Sequence, residues 1–84
     1  VYEVLLERSA ERDLKALSAE IFHRVIPRIR DLANSPRPSG CHKIIGSKND
    51  WRIRIGDYRV IYEIDDKKRV VKVMRIRHRR EVYR

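Results

Sequence analysis

The sequence predicts an α+β domain: a strand, a helical hairpin, then an antiparallel meander that forms a small sheet with the helices packed on one face. Three observations carry this expectation. The opening "VYEVLLE" is rich in β-branched, aromatic and leucine residues. Apolar residues then recur at helical spacing as far as Leu32. From Trp51 onward apolar and polar residues alternate in twos, punctuated by Gly56-Asp57. With 84 residues, the chain is expected to be one domain, 1–84, burying only about 60–65% of the surface of its unfolded form. Its core is therefore thin.

The first strand is expected from Val1 to Glu7. Ser9 offers a side-chain oxygen to cap the first helix, with Leu14 and Leu17 at helical spacing and Glu11 near the positive end of its dipole. Ser18 offers a cap to the second. That helix carries Ile21, Phe22, Val25, Ile29 and Leu32 on one stripe, which should lie on the sheet. Pro27 falls inside it and predicts a bend, because proline in a helix interior costs about 3 kcal/mol. "NSPRPSG", residues 34–40, ends the helix. "HKIIG" suits a short edge strand and "SKND" a loop.

A two-residue loop at Gly56-Asp57 sets the register of the hairpin "WRIRIGDYRVIYEI". Ile55 then faces Tyr58, Arg54 faces Arg59, Ile53 faces Val60, Arg52 faces Ile61 and Trp51 faces Tyr62. Alternation puts Trp51, Ile53, Ile55, Tyr58, Val60, Tyr62 and Ile64 on a core face, and Arg52, Arg54, Arg59, Ile61 and Glu63 on the other. Like charges opposed across strands lose up to about 1 kcal/mol a pair. A solvated basic face explains any one arginine. Three on one face favour an anion site, since a phosphate turns their repulsion into shared attraction and the guanidinium fork matches its oxygens. In the last strand Arg75 and Arg77 join this face only if the connection around "DDKK" is odd in length or a bulge intervenes. A five-residue loop, Asp65 to Arg69, would set Arg59 opposite Arg75, with Arg77 just beyond the first hairpin's turn.

Charge points the same way: 21 Lys+Arg against 12 Asp+Glu give a formal net charge of +9, which draws the chain toward polyanions. No apolar run approaches the roughly 20 residues of a membrane span, and no signal-peptide pattern opens the chain. The single Cys41 fits a reducing compartment. His23, His42 and His78 are scattered, so no metal site is expected. Asp65-Asp66 beside two lysines reads as a turn, and Trp51, Tyr58 and Tyr62 as packing.

Taken together, the strand and helical hairpin, "SPRPSGCHKIIGS", the arginine hairpin and the terminal "IRHRREVYR" resemble the RelE/ParE superfamily of toxins from prokaryotic toxin–antitoxin pairs, nearly end to end. The terminal "HRREVY" is similar to the RelE branch, whose members cut mRNA in the ribosomal A site. ParE-branch proteins share the fold, are thought to poison DNA gyrase and generally lack this set of arginines and tyrosine. The resemblance implies a RelE-like fold and catalytic positions at Arg52, Arg54, Arg59, Arg77 and Tyr83. In well-known members the positions of Arg52 and Arg54 are often lysines, one proposed as the general base. Arginine stays protonated and accepts protons poorly.

The implied chemistry is attack by an RNA 2′-hydroxyl on the adjacent phosphate, leaving a 2′,3′-cyclic phosphate and a free 5′-hydroxyl. It needs no metal or cofactor if cations stabilise the phosphorane and attacker and leaving group are held in line. Tyr83 would stack on a base or move a proton, and Arg77 would sit by the leaving oxygen. His78 and Glu81 are candidate proton carriers. Arg75, Arg79, Arg80, Lys43 and Lys48 are further cations for RNA. The implied partners are mRNA, the ribosome with its rRNA, and an acidic, partly disordered RelB-like antitoxin. Operator DNA would be contacted only through that antitoxin, no membrane is involved, and the location is cytoplasmic. A gyrase-directed toxin without nuclease activity, or an RNA-binding module without cleavage, are the competing expectations.

Overall fold

A computed structural model describes residues 1–82; Tyr83 and Arg84 lie outside the described residues. The chain runs β1 (Glu3–Leu6), α1 (Arg8–Ala16), α2 (Ala19–Asp31), β2 (His42–Lys43), β3 (Asp50–Ile55), β4 (Tyr58–Asp65), β5 (Val70–His78) and α3 (Arg79–Val82). The five strands form one sheet in the order β1-β5-β4-β3-β2. From β2 to β5 all pairs are antiparallel, whereas β1 lies parallel to β5. The α+β meander is as the sequence implies.

One face of the sheet supplies Ile53, Ile55, Val60, Tyr62, Ile64, Val71, Val73 and Ile76 to the core, and the helices supply Ala10, Leu14, Val25, Ile29 and Leu32. The predicted stripe on α2 therefore seats on the predicted sheet face through Val25, Ile29 and Leu32, with Ile21 at its margin, whereas Phe22, expected in the stripe, is exposed. Ser18 caps α2 by accepting from the Ile21 N–H at 3.3 Å, and the helix continues through Pro27 to Asp31. Tyr62 is fully buried, and its hydroxyl donates to the Pro36 carbonyl at 2.8 Å. Burial raises the pKa of its phenol above the ordinary range.

Three expectations are corrected. The first strand is shorter than Val1 to Glu7, because only Glu3 to Leu6 pair residue by residue with β5. Ser9 does not cap α1. The Glu7 N–H is committed to the Val73 carbonyl at 2.9 Å, so the chain turns into the helix at Glu7. The freed Ser9 hydroxyl donates to the Met74 carbonyl at 2.7 Å. Finally, the β4–β5 connection is four residues, 66–69, since Asp65 pairs with Val70. Its even length would turn Arg75 and Arg77 into the core, but a bulge between Ile61 and Tyr62 reverses the alternation. Tyr62 pairs with Val73 and Ile61 with Arg75, leaving Met74 as the extra residue. The partner of Arg59 is therefore Arg77, not Arg75, and Arg77 lies within the ladder.

Beyond Val73 the outer edge of β5 has no strand beside it, because β1 ends at Leu6. Helix α1 covers this edge: Asp13 accepts the Ile76 N–H at 2.9 Å, and Ser9 donates to Met74 as described. An exposed ladder is thus closed by side chains rather than by another strand.

Candidate functional site: an arginine-lined anion cleft

The register predicted for the hairpin is the register observed: Trp51 with Tyr62, Arg52 with Ile61, Ile53 with Val60, Arg54 with Arg59 and Ile55 with Tyr58. Gly56 makes the turn at φ +59°, the geometry of a two-residue hairpin with glycine in its first central position. Since Arg59 also pairs with Arg77, Arg54, Arg59 and Arg77 form one straight row across β3, β4 and β5. A second row, two residues further along the strands, carries His42, Arg52, Ile61 and Arg75.

Arg59 is buried, 4% exposed, on the face away from the core. The chain after β5 folds back beside it. The Arg79 N–H donates to the Asp57 carbonyl at 2.7 Å, docking α3 on the hairpin turn. Between them lies a cavity of about 70 Å³ lined by Arg54, Gly56, Asp57, Arg59 and Arg79. That is on the order of two water molecules' worth of liquid volume, a space suited to a single phosphate group with guanidinium groups on several sides. Two wider hollows flank it. One, of about 590 Å³, is bordered by Asp57, His78, Arg79 and Arg80; the other, of about 260 Å³, by Gly40, His42, Arg52 and Arg54. The first shares Asp57 and Arg79 with the cavity and the second shares Arg54, so the three adjoin as a basic trough at the end of the sheet.

The start of α3 is held by a reciprocal cap. The His78 Nδ1 accepts from the Arg80 N–H at 3.2 Å, and Glu81 Oε1 accepts from the His78 N–H at 3.2 Å. This is the arrangement of a capping box with histidine in the serine position. The other Glu81 oxygen lies 3.2 Å from Arg77 Nε. That ion pair is off the line of a hydrogen bond, leaving Nε shielded from solvent without such a bond. Both residues picked out for proton transfer are thus occupied in holding the tail and orienting Arg77. His78 is also turned away from the arginine row, its ring edge-on to Tyr58 at 5.1 Å.

The structure brings together Arg52, Arg54, Arg59, Arg77 and Arg79, with Arg80 in the adjoining hollow. Three other predicted RNA contacts are set apart. Arg75 shares the face but is gripped by Asp13 at 2.9 and 3.3 Å. Lys43 pairs with Trp51 and so points to the opposite face from His42. Lys48 is exposed in the loop before β3, at the far end from the Gly56 turn. Tyr83 lies outside the described residues. His42 and Asp57 border the trough and were missed; extending the register to "HK" in β2 would have placed His42 beside Arg52. Among the described residues no three His, Cys, Asp or Glu side chains gather as a metal site, and no helix is long and apolar enough to cross a membrane.

The fold and the trough define a class: a small basic α+β protein with a row of arginines on the sheet face away from its core. Comparison with known proteins narrows this. The family model described as "ParE toxin of type II toxin-antitoxin system, parDE" matches residues 4–83, and the chain belongs to this RelE/ParE toxin family. It is 32% identical over 84 residues to toxin RelG of Mycobacterium tuberculosis, covering 99% of this chain and 97% of that protein. Among solved structures, the RelBE2 toxin–antitoxin complex of Mycobacterium tuberculosis is similar at a TM-score of 0.81 and 29% identity, with 92% of this chain and 96% of that one covered. The RelE–RelB complex of Pyrococcus horikoshii OT3 matches at 0.82 and 28%, with 93% and 94% covered. The isolated E. coli RelE toxin, 24% identical at a TM-score of 0.82 over 99% of this chain and 92% of that one, shares the fold.

Proposed function

We propose that this toxin is a metal-independent endoribonuclease that cuts mRNA in the ribosomal A site. The observation that carries the reading is the row Arg54–Arg59–Arg77 beside a phosphate-sized cavity. Attack of a 2′-hydroxyl on its own phosphate builds negative charge on the phosphorane oxygens, and guanidinium groups fixed on a sheet stabilise that charge without reorganising. Arg52, Arg54 and Arg59 would hold the phosphate, and Arg77, oriented by Glu81, would face the leaving oxygen. Tyr83 would stack on a base or relay a proton. The remaining positive charge suits rRNA, and work on the ribosome implies a cytoplasmic location.

The partner proposed for the free toxin is an acidic, partly disordered antitoxin of the RelB kind, which wraps the basic trough and contacts operator DNA on the pair's behalf. The similar solved structures that are toxin–antitoxin complexes support this. The second reading is a gyrase-directed toxin without nuclease activity. The ParE name of the matching family favours it; the aligned arginines favour the first, because such a binder has no use for them.

Primer extension on mRNA in a translating extract separates the readings. Cleavage within codons by the wild-type chain, reduced about 10²-fold or more in Arg59→Ala and also lost in Tyr83→Phe, supports the nuclease. Intact mRNA with stalled replication supports the second reading.

A further inference from the structure

If the arginine row holds a scissile phosphate, as proposed above, the attacking 2′-hydroxyl must lose a proton, and no arginine will take it. The described groups that could take it are few. His78 has its Nδ1 engaged by the Arg80 N–H and its ring packed on Tyr58. Glu81 is divided between the α3 cap and Arg77. Asp13 is held by Arg75 and the Ile76 N–H. Glu63 lies in a separate hollow with Lys68 and Lys72. Asp57 borders the cavity, but it lies at the hairpin turn on the α3 side, where its backbone carbonyl holds the Arg79 N–H.

We propose that His42 is the general base of the cleavage. It pairs with Arg52 across β2 and β3, so its side chain leaves the sheet on the arginine side. The hollow it borders, about 260 Å³, also contains Arg54, and Arg54 lines the phosphate cavity as well. A phosphate under Arg54 and Arg59 would therefore leave its ribose on the His42 side. The adjacent wall is Gly40, where a Cβ would meet nothing within 4 Å, giving the sugar room. Imidazole is the side chain most often used as a general base, and its neutral form keeps one ring nitrogen free to accept a proton.

The charged groups facing His42 are Arg52 and Arg54 of β3; its neighbour Lys43 points the other way. In the step, the 2′-oxygen forms a bond to phosphorus while its proton passes to the imidazole, directly or through one water. The phosphorus–O5′ bond breaks, and the 5′-oxygen takes a proton from water. The imidazolium then returns its proton to solvent, so no oxidant or second reagent is needed.

The test compares wild type, His42→Ala and His42→Gln in the translating-extract cleavage assay, with and without added imidazole, alongside co-sedimentation with ribosomes. His42 is exposed on an edge strand, and thermal melting checks that both variants fold. The expected result is a fall of about 10²-fold in cleavage rate, unchanged ribosome binding, and partial recovery of His42→Ala by imidazole. Cleavage at the wild-type rate overturns the proposal, as does a joint loss of cleavage and ribosome binding that imidazole does not restore. Intact mRNA with the wild-type chain overturns the nuclease reading itself, and the role of His42 with it.

Discussion

Arg59 and Arg77 stand directly opposite one another across β4 and β5. Nothing in the length of the connecting turn would put them there. They meet because Met74 is bulged out of the ladder, which adds Arg77 to the row that Arg54 and Arg59 already form.

Deleting Met74 should remove the bulge without disturbing the row: Val73 stays opposite Tyr62, the next residue, Arg75, falls opposite Ile61, and Arg77 still meets Arg59. What the deletion loses is the Met74 carbonyl that accepts from the Ser9 hydroxyl, so it is expected to cost about 1–3 kcal/mol by urea denaturation while melting stays cooperative. Met74→Ala keeps that carbonyl and should cost only about 1 kcal/mol. A deletion variant that no longer melts cooperatively would show that the sheet needs the bulge itself.

Asp13 closes the edge of β5 and neutralises Arg75 in one contact. Asp13→Ala leaves the Ile76 N–H without its acceptor. It should lower stability by about 1–3 kcal/mol, measured by urea denaturation. Hydrogen exchange should quicken at Ile76 before the rest of the sheet.

At Gly56 the space and the backbone make different demands. A Cβ there would come 3.1 Å from a guanidinium nitrogen of Arg24, the movable end of a long side chain. The φ of +59° is the stiffer obstacle. Gly56→Ala is expected to lose about 1–2 kcal/mol, and pairing it with Arg24→Ala should recover little of that. Full recovery in the double variant would assign the cost to the contact instead.

Asp66 predicts a pH dependence. Arg37 grips its carboxylate at 2.8 and 3.3 Å and the Tyr2 hydroxyl donates to it. These contacts, Arg37 first, hold its pKa below the ordinary 3.8. A carboxyl whose folded-state pKa is lowered contributes stability above the unfolded value, and loses it as pH falls through the folded value. Wild type should therefore melt above Asp66→Asn at neutral pH, and the two curves should converge in acid below the ordinary value. A gap that persists unchanged into strong acid would show that the carboxylate's charge is not the cause.

The hairpin and both apolar faces were legible because period-two alternation and a two-residue turn leave a single register. The features that escaped are long-range. Ser9 was an apt cap by local chemistry, but the Glu7 N–H had a better claim on Val73. Parity required an odd loop or a bulge, and residue counting alone cannot choose between the two. Arg75 belonged to the arginine face by alternation, yet its partner Asp13 is 62 residues away. The cap on α3 was hidden for a different reason: histidine in place of serine does not match the usual sequence sign of a capping box. His42 was missed because the pairing of the short edge strand was never extended from β3.

The parallel pairing of β1 with β5 carries a consequence for biosynthesis. The first strand made has as its only partner the last strand made, so β1 and the helix behind it must wait while most of the chain emerges. Contacts this remote in sequence slow folding and bias it to follow completion of the sheet. The arginine row, one member of which sits on β5, cannot be assembled on a half-made chain. If the finished toxin acts on the ribosome as proposed, a nascent copy would be harmless to the machine producing it, leaving time for a neutralising partner to arrive.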